Sequence, residues 1–85
     1  MPTVIRTKPF DDDFLRLTSG EQKQTLKILR FLSANPRHQS LHTHKIEGTG
    51  FFEAYVNKDI RIIFERISDT IILHAIGHHD ILRKM

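Results

Sequence analysis

Between Phe51 and Gly77 the chain reads FFEAYVN, IRIIFERI and TIILHAIG, three runs dense in β-branched and aromatic residues. They are separated only by Asn57-Lys58-Asp59 and Ser68-Asp69. Connections this short admit hairpins and little else, because a parallel return needs a crossover of about a dozen residues. An antiparallel meander is therefore expected. In the first run Phe52, Ala54 and Val56 share one face, with Glu53, Tyr55 and Asn57 on the other. In the second, Ile60, Ile62 and Phe64 oppose Arg61, Ile63 and Glu65. The third is apolar on both faces, as suits a strand inside a sheet.

The first half follows different rules. Thr3 to Lys8 (TVIRTK) reads as a short strand closed by Pro9, and FDDDFLRL opens a helix in which Asp11 to Asp13 supply cap and first-turn acids. Phe10 is placed to staple onto Phe14, with Phe14 and Leu17 on one face. TSGEQKQ offers a second helix start, with Thr18 or Ser19 as N-cap and Glu21 or Gln22 three residues on. Leu26, Leu29 and Leu32, flanked by Ile28 and Phe31, mark an amphipathic helix that stops at Asn35-Pro36. RHQSLHTHKIEGTG is a polar connection holding short extended pieces. The expected fold is α+β: an N-terminal strand, a two-helix hairpin, then a three-stranded antiparallel meander forming a small sheet covered on one face by the helices.

At 85 residues the chain is expected to be one domain spanning 1–85. It has no cysteine, which excludes disulfides and thiolate metal sites. Its apolar runs are far shorter than the roughly 20 residues of a membrane helix, and MPTVIRTKPF lacks the core of a signal peptide. A cytoplasmic protein with no membrane partner is expected. The net charge of +3 is modest; its placement says more, since Arg83 and Lys84 follow His78, His79 and Asp80 directly and would meet an approaching anion.

HKIEGTGFFEAYVNKDIRIIFE followed by ILHAIGHHDIL resembles the RelE/ParE superfamily of toxins from bacterial type II toxin–antitoxin systems. Within it the likeness is greatest to the ribosome-dependent mRNA interferases of the RelE, YoeB and YafQ kind. The resemblance spans nearly the whole chain. It rests on the helical hairpin ending in Asn-Pro, the H-x-[IL]-x-G step from His44 to Gly48, the [DE]-x-R-[IL]-[IV]-[FY] strand from Asp59 to Phe64, and the G-x-H ending at His79. It implies cleavage of mRNA in the ribosomal decoding site by attack of a 2′-hydroxyl on the adjacent phosphodiester, with no metal or other cofactor. Such chemistry needs an acceptor for the 2′-OH proton, a stabiliser of the phosphorane-like charge and a donor for the departing 5′-oxygen.

Arg61 is the candidate for the phosphate, because a guanidinium keeps its charge and offers paired donors; the plainer reading is a strand arginine paired with Glu53 or Asp59. His79 matches the terminal histidine of these toxins and is assigned as general acid. His78 competes with it, since consecutive strand residues face opposite sides; the plainer reading of the pair is polar trim at a strand end. Asp59 is a general base, a holder of a histidine tautomer, or an aspartate bonded to its own turn. His44 is the other candidate base. Tyr55 stands where the YafQ-like group has a second histidine, suited to contact phosphate, stack on a base or pack across strands. RNA contact is assigned to Lys45, Tyr55, His78, Arg83 and Lys84.

Two departures from the pattern matter. The aromatic residue usual near the end is replaced by Leu82 and Arg83, and the lysine pair of the RelE type by Phe52 and Ala54. Metal binding by His42, His44, His78, His79 and Asp80 is the sharp alternative, without any recognised zinc spacing. Two further readings stand beside the interferase: a ParE-like inhibitor of DNA gyrase, and a toxin relative that only binds its antitoxin. The partners implied are a cognate antitoxin, mRNA on the ribosome, and operator DNA through the antitoxin alone.

Overall fold

The computed structural model describes residues 2–35, 38 and 41–78. Three of its strands are the meander read from the sequence: β3 (Phe51–Tyr55), β4 (Ile60–Ile67) and β5 (Thr70–His78). The turn between β3 and β4 is built by Asn57, whose Oδ1 accepts the backbone N–H groups of Asp59 and Ile60, both at 2.8 Å. Its Nδ2 donates to Gln24 Oε1 at 2.8 Å and so pins the turn to a helix. The next turn is tighter, and Ser68 accepts a left-handed backbone there (φ 54°).

The sheet is larger than the expected meander. It has five strands in the order β1-β5-β4-β3-β2, with β1 (Thr3–Arg6) parallel to β5 and β2 (His44–Lys45) antiparallel to β3. The three-stranded description is corrected on both edges, for physical reasons. A two-residue strand shows no period to read, and the pairing of Thr3 with Thr70 joins segments from opposite ends of the chain. β1 covers only part of β5. Beyond it, Thr7 Oγ1 donates to the Leu73 carbonyl at 2.8 Å, and Ile76 N–H donates to Asp13 Oδ2 at 3.2 Å. Asp13, expected as a first-turn acid, thus closes the open edge of a strand.

β5 is not a regular strand. Ile63 pairs with Ala75 and Phe64 with Leu73, so His74 is an extra residue, a β-bulge. The bulge lets Ile71, Leu73 and Ile76 all reach one core, which strict alternation would forbid.

That core lies between the sheet and α1 (Lys8–Leu15) and α2 (Ser19–Ala34). It buries Phe10, Ile28, Leu32, Ala54, Ile60, Ile62 and Phe64, each large side chain contributing about 1.5–3 kcal/mol. α1 starts earlier than expected: Thr7 is its N-cap and Pro9 lies in its first turn, where a missing N–H costs nothing. α2 begins at Thr18 with a complete capping box to Glu21 and ends at Ala34 with Asn35 as C-cap. Its buried positions are Thr25, Ile28 and Leu32, while Leu26 is exposed, so the buried stripe is rotated from the leucine spacing. Leu41, inside the polar connection, is fully buried.

Candidate active site on the uncovered sheet face

Side chains across paired strands share a face, so the register identifies who meets whom. Opposite the helices, one row runs Tyr55, Arg61, Gly77 and the next runs His44, Glu53, Ile63, Ala75. A small apolar cluster of Ile63 and Ala75 under Ile46 and Phe51 supports this face, and no helix residue takes part in it.

Arg61 is the centre. Its guanidinium carbon lies 3.6 Å from the centroid of the Tyr55 ring, a cation–π stack. Nη1 donates to the carbonyls of Asn57 (2.8 Å) and Lys58 (2.7 Å), with Ile60 O farther away at 3.5 Å. Nε faces Glu53 Oε1 at 3.9 Å, and only 12% of the arginine side chain is exposed. Nη2 is the guanidinium nitrogen without a partner among the described residues. The same Glu53 oxygen is 3.1 Å from His44 Nε2. The other ring nitrogen of His44 faces the His42 carbonyl at 3.3 Å, so both nitrogens are turned toward protein oxygens. His42 and His44 flank the Tyr55 ring at centroid distances of 5.5 and 6.1 Å. A cleft of about 380 Å³ opens here, lined by His42, Tyr55, Val56, Asn57, Lys58 and Arg61.

The structure thus brings together Arg61, Tyr55 and His44 from the residues expected at a site. Asp59 sits exposed in the turn, its N–H bonded to Asn57, and among the described residues it makes no ion pair with Arg61. Lys45 is in register with Phe52 and Phe64, and His78 with Ile60, so both belong to rows on the helix side, away from Arg61. His79, Arg83 and Lys84 lie outside the described residues, as does Asp80 of the proposed metal set. Among the described residues no group of three histidines or carboxylates is arranged around a common metal position. Two residues of the cleft region were read from sequence in lesser roles: Glu53 only as a partner for Arg61, and His42 only as a metal ligand. The available signal for Glu53 was its alternation with Tyr55, which placed both on the Arg61 face.

No protein-family model matches the chain, and no curated protein matches it. Solved structures do. A metal-bound toxin from Helicobacter pylori is 24% identical, with a TM-score of 0.78 over 96% of this chain and 99% of that one. YafQ from Escherichia coli is 16% identical, with a TM-score of 0.74 over 96% and 98%. In the archaeal RelE–RelB complex from Pyrococcus horikoshii, the matched chain is 19% identical, with a TM-score of 0.78 over 93% and 96%. The chain has the fold of the RelE/ParE-superfamily toxins. No helix among the described residues is long and apolar enough to cross a membrane.

Proposed function

We propose that this protein is the toxin of a toxin–antitoxin pair and cuts mRNA on the ribosome by metal-independent attack of a 2′-hydroxyl. The observation that carries this reading is the sheltered Arg61–Tyr55 stack in the wall of one cleft, with the His44 ring 6.1 Å from that of Tyr55. A phosphodiester entering that cleft meets a fixed guanidinium, with Nη2 as its unengaged nitrogen and Lys58 at the rim. Charge on a phosphorane-like transition state is then stabilised by a cation that needs no reorganisation. Tyr55, with one ring face against Arg61, offers its hydroxyl to phosphate or an edge to a base. His44 and Asp59 remain the candidates for the 2′-OH proton. The acid falls to His79 on the sequence argument alone. Neighbours of the same fold include a RelE bound to RelB and a RelBE complex, which supports an antitoxin as partner.

One observation favours a second reading, a relative that binds an antitoxin without cutting RNA. Arg61 spends Nη1 on the carbonyls of its own turn, as a purely structural arginine would.

The two are separated by inducing the wild type, Arg61→Ala and His79→Ala in a bacterial host and mapping 5′ ends of cellular mRNA. Growth arrest with translation-dependent cuts that both variants lose is expected. Arrest with intact mRNA would move the target elsewhere, to gyrase for example. Absence of both arrest and cuts would favour the binding-only reading.

A further inference from the structure

Glu53 is a buried charged residue, with 8% of its surface exposed, and its neighbour Arg61 is sheltered almost as well. It sits in the middle of β3, on the face it shares with Ile63, where an apolar side chain would pack without desolvation cost. A buried carboxylate is tolerated only when partners compensate it, and replacing such groups by apolar ones is often neutral or stabilising. Its presence in the strand therefore asks for a reason other than packing. The contacts supply one. A single oxygen, Oε1, lies 3.1 Å from His44 Nε2 and 3.9 Å from Arg61 Nε.

We infer that Glu53 is the positioning residue of this site, setting the tautomer of His44 and the orientation of Arg61 together. The 3.1 Å contact is an approach of charge rather than an in-line hydrogen bond. A carboxylate beside Nε2 still repels a lone pair there more strongly than the neutral His42 carbonyl, 3.3 Å from Nδ1, does at the other nitrogen, so the ring proton is drawn to Nε2. Nδ1, unprotonated in that tautomer, is then the nitrogen that accepts a proton from a bound ligand, after a ring displacement that turns its lone pair away from the His42 carbonyl. On the arginine, Glu53 faces the Nε edge while the turn carbonyls hold Nη1, which leaves Nη2 for an anion. Glu53 touches no substrate in this scheme. It acts through the two groups that do, as the carboxylate behind a catalytic histidine does. The inference rests on the reading that this cleft handles RNA, but its structural half stands independently of cleavage.

A built-in control exists on the same sheet face. His74 Nε2 lies 3.0 Å from Glu65 Oε1, a second histidine–carboxylate pair, here joined by a hydrogen bond and with Phe51 rather than Arg61 beside it. The experiment compares the full-length wild type with Glu53→Gln and Glu65→Gln. The first readout is the ¹⁵N spectrum of the imidazoles at about pH 8, above the ordinary histidine range near 6.5. In the wild type His44 is expected as the Nε2–H tautomer. In Glu53→Gln it becomes a mixture of tautomers, while in Glu65→Gln only His74 changes. The second readout is translation-dependent mRNA cleavage, expected to fall about 10- to 100-fold in Glu53→Gln, the range typical of losing an orienting partner. Cleavage should persist in Glu65→Gln, and a thermal melt of each variant separates this loss from unfolding.

An unchanged His44 spectrum in Glu53→Gln overturns the inference, and so does wild-type cleavage by that variant. If the wild type itself does not cut mRNA, the functional reading fails, and the His44 spectrum still decides whether Glu53 positions the ring.

Discussion

The two faces of this sheet are made by the same strands and built to opposite rules. On the helix side, alternate residues of β3 and β4, namely Phe52, Ala54, Ile60, Ile62 and Phe64, join Phe10, Ile28 and Leu32 in one apolar core. On the other side, the intervening residues are polar: Glu53 pairs with Arg61 and His44, Arg61 stacks on Tyr55, and Glu65 is hydrogen-bonded to His74. The first face is held together by area removed from water, which has no direction. The second depends on donors and acceptors meeting at set distances, which tolerates far less displacement. A single register serves both, so an error of one residue in pairing would exchange core for site. The lesson is that stability and the candidate chemistry are separable by face, and substitutions can test this.

The largest effect is expected on the helix face. Phe64→Ala should cost about 3–5 kcal/mol, enough to leave a domain of this size largely unfolded in a urea titration. A small cost there would mean that the helices, not the sheet, supply most of the core. Next comes Arg61→Lys. Lysine keeps the charge but not the planar fork, so the turn contacts and the stack on Tyr55 weaken together. We expect a loss of about 1–3 kcal/mol in the same titration, with no recovery of the wild-type function. Full stability would show that Asn57 and Gln24 hold the turn unaided. The smallest effect concerns Thr43, next to the site histidines. Its Oγ1 is buried with no hydrogen-bond partner among the described residues. Thr43→Val should be neutral or stabilise by up to about 1 kcal/mol; marked destabilisation would reveal a partner for that hydroxyl.

Much of the helix-side face was legible in the primary structure. Period-two alternation within β3 and β4 assigned Phe52, Ala54, Ile60, Ile62 and Phe64 to one side, and Thr18 or Ser19 followed by Glu21 or Gln22 announced the start of α2, which the structure fixes at Thr18 with Glu21. Local signals failed where the outcome depended on distant partners. Leu26 looked like core and is exposed, because the stripe that α2 buries is set by the sheet beneath it. Leu41 looked like loop and is buried. His74 gave no sign of being a bulge, since a bulge exists only relative to the strand it pairs with. The site was legible in part: the face carrying Arg61 and Tyr55 followed from alternation, and the family resemblance directed attention to His44.

The amino-acid sequence alone determined the meander, the two helices and the side of β3 and β4 on which Arg61, Tyr55 and Glu53 stand. These depend on the alternation, caps and short turns of neighbouring residues. Only the tertiary structure decided that β1 would run parallel to β5, that two residues at His44 would form an edge strand, and that Glu53 would lie between a histidine and an arginine. Those outcomes require segments remote in the chain to meet, and the free energy of such meetings lies in packing and pairing that no short window of sequence contains.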